Sequence, residues 1–364
     1  MSPDPFDAFA EAGLYDPDAP KAHERRELLQ HLLDREFPVA DIVRFARLPG
    51  PVTDLAAILA TERHAVYLTP EEVAEQTGAD VAEVLDVRAV MGLPDAGWGE
   101  PDIPDSFLDD FALFQLGAAA YGKERTMAFA RVVGASVAAL MEAGRELALA
   151  PLQHANPTEL EVSQANEYAM SMWVAVSQLM THVMREHAGR NKWFEEQLLQ
   201  GEVLLAVAFV DLVGSTEWTA SLTAVEHSRA IARFEQTAAR LAAEHGCRVV
   251  KFMGDAAMLA GANVEGVART ASRLCAATRA DADLPAARGA VGWGSVQPRG
   301  GDYYGDVVNL TARATKEAPV SAIVVTADVA MRLDASAWKV GEPRTVQLRG
   351  VADAVELVVA EPVD

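Results

Sequence analysis

Cysteine is nearly missing from this chain: Cys247 and Cys275 are the only two in 364 residues. Their spacing builds neither a disulfide framework nor a metal-binding pair, which excludes stapled extracellular scaffolds and fits a reducing compartment. Both are expected to be buried small apolar residues. Also lacking is any uninterrupted apolar run of the ~18 to 20 residues that spans a bilayer. The first residues, Met1-Ser-Pro-Asp-Pro-Phe-Asp7, offer no basic region ahead of a hydrophobic one. A cytoplasmic protein with no membrane insertion is the expectation. Basic residues are scarce as well, 31 Lys+Arg against 53 Asp+Glu for a net charge of −22. A surface of that sign repels phosphate backbones and anionic lipid, so neither nucleic acid nor membrane is expected as a partner.

The deficit is uneven. Residues 1–200 hold 15 Lys+Arg against 33 Asp+Glu, whereas residues 201–364 hold 16 against 20. An anionic substrate is therefore better tolerated by the second half. The length suggests two domains, and the patterning changes character near residue 200.

Up to that point the chain reads as helix after helix. Thr69-Pro-Glu-Glu72 and Thr158-Glu-Leu-Glu161 are capping boxes, the first with Pro at the opening helical position and Gly78 to end its helix. Further helical patterns run over 23–47, 54–64, 81–91, 106–120, 126–148 and 160–187, and β-type alternation is nearly absent. An all-α domain over 1–190 follows, with a linker at 191–201. Residues 68–93 resemble a helix-turn-helix, but the second helix offers Asp80, Glu83 and Asp86 against Arg88. A DNA reader needs the opposite sign, so a structural hairpin is expected. In 160–187, Ala169, Met170, Trp173, Val176, Leu179, Met180 and Val183 recur at three- and four-residue steps, the face of a core helix. Six of the eight histidines lie in this half: His23, His31, His64, His154, His182 and His187. His182 and His187, beside the junction, are the candidates for a proton-sensitive switch.

From residue 202 strands and helices alternate. The apolar run Val203 to Val210 reads as a buried strand and delivers Asp211 to its end. Gly214, Ser215 and Thr216 then open a helix whose N–H groups can receive a phosphate. A long helical segment closes at Gly246. A strand at 247–253 turns at Gly254-Asp255 into a strand at 256–262, and a helix at 264–280 leads to a strand at 289–296. This β-α-β-β-α-β order is a ferredoxin-like α+β arrangement, which by itself fixes no function. In that frame the end of the first strand and the hairpin tip lie side by side, so Asp211 and Asp255 can share one rim. Two carboxylates without His or Cys suit Mg²⁺ or Mn²⁺. Farther on, Asn309 and Arg313 stand four apart on a helical segment and project from one face. Leu348-Arg349-Gly350 supplies another cation near a turn.

The stretches Phe-Val-Asp211-Leu-Val-Gly-Ser-Thr216, Lys251-Phe-Met-Gly-Asp255 and Asp302-Tyr-Tyr-Gly-Asp-Val-Val-Asn309-Leu-Thr-Ala-Arg313, in that order, resemble the signatures of the class III nucleotidyl cyclases. The resemblance covers roughly 202–360 and identifies 202–364 as a catalytic domain of that type. It resembles actinobacterial soluble adenylate cyclases, with the helical domain in a regulatory place. It implies cyclisation of ATP to 3′,5′-cyclic AMP and pyrophosphate. Asp211, Asp255 and the Leu212 carbonyl would hold two Mg²⁺ or Mn²⁺ ions per site. Asn309 would orient the ribose and Arg313 the reacting phosphorus. Arg349, where the family commonly has Lys, would bind the triphosphate together with Gly214, Ser215 and Thr216. Lys251 and Asp302 stand at base-reading positions; a Lys donor and a carboxylate acceptor complement adenine N1 and N6 and mismatch guanine, so ATP is expected over GTP. The family also implies a homodimer in which each site takes its acids from one chain and its base-reading, Asn and Arg groups from the other. Trp293 stands where the family often has His. The alternative reading is a non-catalytic, nucleotide-binding signalling module; the hairpin Phe-Met-Gly-Asp-Ala lacks the diguanylate cyclase signature.

Overall fold

The computed structural model describes residues 4–46, 51–61, 66–97, 99–153, 155–190, 197–199, 202–351 and 353–363. His64, His154 and most of the 191–201 segment lie outside them. The chain divides into two compact units, Met1–Glu186 and His187–Asp364.

The first unit is helical. Its elements are α1 (Pro5–Glu11), α2 (Ala22–Asp34), α3 (Val39–Phe45), α4 (Leu55–Thr61), α5 (Pro70–Thr77), α6 (Val81–Val90), α7 (Phe107–Tyr121), α8 (Lys123–Leu149), α9 (Glu159–Ser171) and α10 (Trp173–Arg190), whose last turn crosses the division. Two-residue strands β1 (Tyr67–Leu68) and β2 (Ile103–Pro104) pair antiparallel. Both expected capping boxes form, at Thr69 and Thr158, and Gly78 closes α5 at φ 69°. One core gathers Phe9, Leu29, Leu32, Ile42 and Leu59; a second gathers Val73, Val84, Ile103, Phe107 and Phe111. Burial of each such side chain contributes about 1.5–3 kcal/mol.

Three expectations are corrected here. The single helix over 23–47 is two, α2 and α3, because Pro38 cannot continue a helix and Glu36 turns the chain at φ 62°. The pattern over 160–187 is likewise two helices, meeting at Met172. Its apolar face is only partly covered: Ala169, Met170 and Val176 are half-buried, whereas Leu179, Met180 and Val183 of α10 are exposed. Exposed apolar residues recur on α8 at Phe129, Val133, Val137 and Leu147. The stretch Lys123–Leu152, although interrupted by charges, is long and apolar enough to cross a membrane by length and composition. The hairpin of α5 and α6 turns its cation inward: Arg88 is buried, donates to the Pro94 carbonyl at 3.1 Å and lies over the Phe107 ring. The lone base of the suspected recognition helix is thus part of a core.

The second unit is built on β3 (Val203–Leu212). Helices α11 (Ser215–Ala220) and α12 (Ala224–Glu244) follow, then β4 (Arg248–Met253), β5 (Ala256–Gly261) and α13 (Val264–Ala280). Next come β6 (Ala287–Arg299), β7 (Asp302–Tyr304) and α14 (Asp306–Ala314), and finally β8 (Ile323–Thr326), α15 (Ala327–Ala330), β9 (Trp338–Val340), β10 (Arg344–Val346) and β11 (Val355–Pro362). The sheet runs β10-β11-β8-β6-β3-β5-β4, with β7 on β6 and β9 on β11. The β6–β8 pair is parallel and the others are antiparallel.

The alternation of side chains along β3 explains its unbroken apolar run. Ala206, Ala208, Val210 and Leu212 enter a core with Phe234, Ala238 and Leu241 of α12 and Val267, Ala271 and Leu274 of α13. Val203, Leu205, Val207 and Phe209 enter another with Met258, Val296 and Tyr303, against which Val307 and Val308 of α14 pack. A strand covered on both sides has no polar face to show. Asp211 is the first residue to break the run, on the Phe209 side. Cys275 is fully buried, which pushes its thiol up to about 12, and Cys247 is half-buried.

Candidate active site

Antiparallel register sets the first cluster. Asp211 on β3 lies opposite Ala256 on β5 and Arg288 on β6. The β4–β5 loop is the two residues Gly254-Asp255, and Gly254 takes the positive φ of 65° that such a loop requires at its first position. The Leu212 N–H donates to the Asp255 carbonyl at 3.1 Å and binds the strand end to the hairpin tip. Asp211 and Asp255 therefore share a rim, as the motifs implied. Burial pushes the Asp211 carboxyl above its ordinary range, the Asp255 charge adds to this, and Arg288 and Lys316 oppose it. The Arg288 guanidinium approaches Asp211 Oδ2 to 4.0 Å and donates to the Lys316 carbonyl at 3.0 Å. Its Nε is buried without a partner. A half-buried acid whose ionisation is opposed by burial and by a neighbouring carboxylate is a donor that a divalent cation would relieve. Among the described residues no group of three or more His, Cys, Asp and Glu side chains forms a closed cage.

Lys251 reaches its place through a β-bulge. The β4–β5 register shifts between Val249 and Lys251, so Val249 packs with the α12–α13 core while Val250 and the Lys251 partner Met258 belong to the other. Plain alternation would have sent Lys251 towards the helices; the extra residue turns it to the Asp211 side. Asp302 arrives by a second two-residue hairpin, Gly300-Gly301, with φ 62° and 80°, which pairs Arg299 with Asp302. Lys251 Nζ donates to Asp302 Oδ2, the Tyr303 N–H donates to Asp302 Oδ1 at 2.8 Å, and Arg248 covers the Tyr303 ring. The pair implied as base-reading is thus preassembled.

A third group sits on α14. This helix lies close to the sheet because Gly292 and Gly294 have no side chains where Thr311 and Val307 press against β6. Asn309 and Arg313 are both exposed on it, and Arg313 donates to the Gly350 carbonyl at 3.0 Å, next to exposed Arg349. Gly214, at φ 72°, precedes Ser215 and Thr216, which begin α11. Among the described residues no hydrogen bond or ion pair joins the Asp211–Asp255 rim to Lys251, Asp302, Asn309, Arg313 or Arg349. Arg288, Lys316 and the α14-seating glycines carry no local signal in the sequence. Arg288 becomes visible only once β6 is registered against β3. Trp293, pairing with Ala206, is partly buried and carries Arg332 over its ring. The histidines suspected as switches, His182 and His187, are exposed on α10; His31 is set against a carboxylate, its Nε2 3.5 Å from Glu167.

These features define a class: a helical unit followed by a mostly antiparallel sheet whose rim pairs two acids and whose flank carries an amide and guanidinium groups. Comparison with known proteins names it. Residues 10–188 match the adenylate cyclase regulatory domain. An uncharacterised protein of Mycobacterium tuberculosis is 27% identical over 332 residues, 89% of this chain and 86% of its own length. A pH-sensitive adenylate cyclase of the same species is 25% identical over 357 residues, covering 92% and 87%. Among solved structures, the guanylyl cyclase Cya2 aligns over 45% of this chain and 94% of its own at 20% identity, with a TM-score of 0.41. The matched regulatory domain and the adenylate cyclase relative agree with the resemblance to adenylate cyclases read from the motifs.

Proposed function

We propose that the chain is an adenylate cyclase that converts ATP to 3′,5′-cyclic AMP and pyrophosphate as a homodimer, under control of its helical unit. The reading rests most on one observation, the shared rim of Asp211 and Asp255 beside a preformed Lys251–Asp302 pair. The observed strand order β6-β3-β5-β4, all antiparallel, supports the ferredoxin-like description of the catalytic frame.

Asp211 and Asp255 would hold Mg²⁺ or Mn²⁺, two per site in the family, with the Leu212 carbonyl as a further donor. Such ions favour ionisation of an attacking hydroxyl and neutralise phosphate charge. Asn309 orients the ribose so that its 3′-oxygen faces the α-phosphorus. As the O3′–P bond forms and the bond to pyrophosphate breaks, Arg313 donates to the phosphoryl oxygens on which charge gathers. Arg349 and the Gly214–Thr216 segment bind the phosphates. Lys251 donates to adenine N1 while Asp302 accepts from the N6 amine. The exposure of Asn309, Arg313 and Arg349, with no bond from them to the acid rim, supports sites completed by a second chain. Incubation of the purified protein with ATP or GTP and Mn²⁺ tests the reading: cyclic AMP and pyrophosphate in equal amounts are expected from ATP. Binding of ATP without either product would instead establish a non-catalytic module.

A further inference from the structure

Two cations of one strand grip consecutive residues of another. On β4, Arg248 lies opposite Ala260 and Lys251 opposite Met258 of β5, and both partners belong to the core that contains Tyr303. Residues three apart on a regular strand face opposite sides; the bulge between Val249 and Lys251 brings Arg248 and Lys251 onto one. From there the Arg248 guanidinium covers the Tyr303 ring, 5.0 Å from its centroid, and Lys251 Nζ donates to Asp302 Oδ2. These side chains reach across the sheet, since β7 is bonded to β6, and β3 and β5 separate β6 from β4.

The β6–β7 hairpin by itself is a weak support for Asp302. Strand β7 is three residues long. Its turn is Gly300-Gly301, the pair with the greatest backbone freedom, and Tyr303 lies opposite Pro298, which has no N–H to give the ladder. Tyr303 supplies what the hairpin lacks. Its side chain is buried, and its N–H donates to Asp302 Oδ1 at 2.8 Å. With Oδ1 held by Tyr303 and Oδ2 turned to Lys251, the carboxylate keeps one orientation. That orientation governs rejection of the wrong base. A fixed acceptor leaves guanine O6 unpaired against it, whereas one free to rotate tolerates either base.

We propose that Arg248 is a positioning residue for base selection, clamping Tyr303 so that Asp302 excludes guanine; this rests on the base-reading roles proposed above for Lys251 and Asp302. The probes are 3′-deoxy-ATP and 3′-deoxy-GTP, titrated calorimetrically with Mn²⁺ into the full-length protein. Neither has the attacking hydroxyl, so the result does not depend on turnover. The parent is expected to favour the adenine nucleotide. Arg248 is exposed, so Arg248→Met leaves the core intact. In that variant the preference should fall about two- to fivefold, the worth of an exposed cation–π contact, with the guanine nucleotide bound more tightly and the adenine nucleotide less. Arg248→Lys, which keeps a cation over the ring, should retain most of the preference. Tyr303→Leu should match Arg248→Met, and the double variant should lose no more than either. Equal weakening of both nucleotides in Arg248→Met, the mark of a merely structural role, overturns the proposal, as does an unchanged preference. A parent that binds both nucleotides equally overturns it together with the base-reading roles.

Discussion

Replacing Gly292 with alanine tests how closely α14 must approach the sheet. A Cβ built at Gly292 falls 2.2 Å from Thr311 Oγ1 and 3.1 Å from Val307 Cγ2. Thr311 cannot easily turn away, since it is fully buried and its hydroxyl donates to the Val307 carbonyl at 2.6 Å. The helix itself has to retreat by about 1 Å to restore ordinary contact. Overpacking of this kind costs about 1–3 kcal/mol, although alanine is otherwise the better strand residue. For a unit of this size each kcal/mol lowers Tm by about 2–4 °C, so a fall of about 2–12 °C is expected by calorimetry. Activity should suffer more than stability: Asn309 and Arg313 ride on the same helix, and a misplacement of about 1 Å at reacting groups costs on the order of 100-fold in turnover. Adding Thr311→Ala removes the nearest atom and should recover most of both losses. A Gly292→Ala variant with unchanged Tm and full cyclase activity would refute the reasoning.

Asp211 makes a pH-dependent prediction. Its carboxyl is raised in the folded state by burial and by Asp255, so its contribution to stability is fully present below the unfolded carboxylate range and is lost as pH rises through the raised value. Asp211→Asn should therefore melt above the parent at pH 7 and lose that advantage near pH 3, while Mn²⁺ should raise the Tm of the parent alone; a variant that melts lower at pH 7 contradicts this. Mixing inactive Asp211→Ala and inactive Lys251→Ala chains should restore activity, since each heterodimer regains about one intact site, and no recovery would count against sites shared between chains. Replacing Asp302 with Ala, which removes the partner of Lys251 and the acceptor proposed for the N6 amine, should reduce the preference for ATP over GTP by on the order of tenfold or more in kcat/KM; an unchanged preference would show that the pair does not read the base.

Much of this architecture is legible in the residues. Val203 to Val210 declare a doubly covered strand, Gly254-Asp255 a tight hairpin, and Thr69 and Thr158 the starts of their helices, because each signal is local. What escaped depends on pairing between distant segments. The bulge that aims Lys251 exists only in the register of β4 against β5. Arg288 matters because β6 sets it opposite Asp211, and Gly292 because α14 descends on it. The break at Met172 has no proline or glycine to announce it, unlike the break before Pro38. The exposed apolar residues of α10 show the converse limit: helical periodicity identifies a face but not what, if anything, covers it.

The double pairing of β3 also bears on which errors the second unit can make. A strand bonded along both edges cannot shift against one neighbour without breaking its ladder to the other. A slip of one residue would carry Asp211 in among Phe234, Leu241 and Leu274 and bring Leu212 out to the rim. The carboxylate thereby acts as a proofreading mark for its own strand: the arrangement that presents an acid to a substrate is also the one in which no charge is stranded in a core. Misregistered folding intermediates are penalised by the same residue on which the chemistry is proposed to depend.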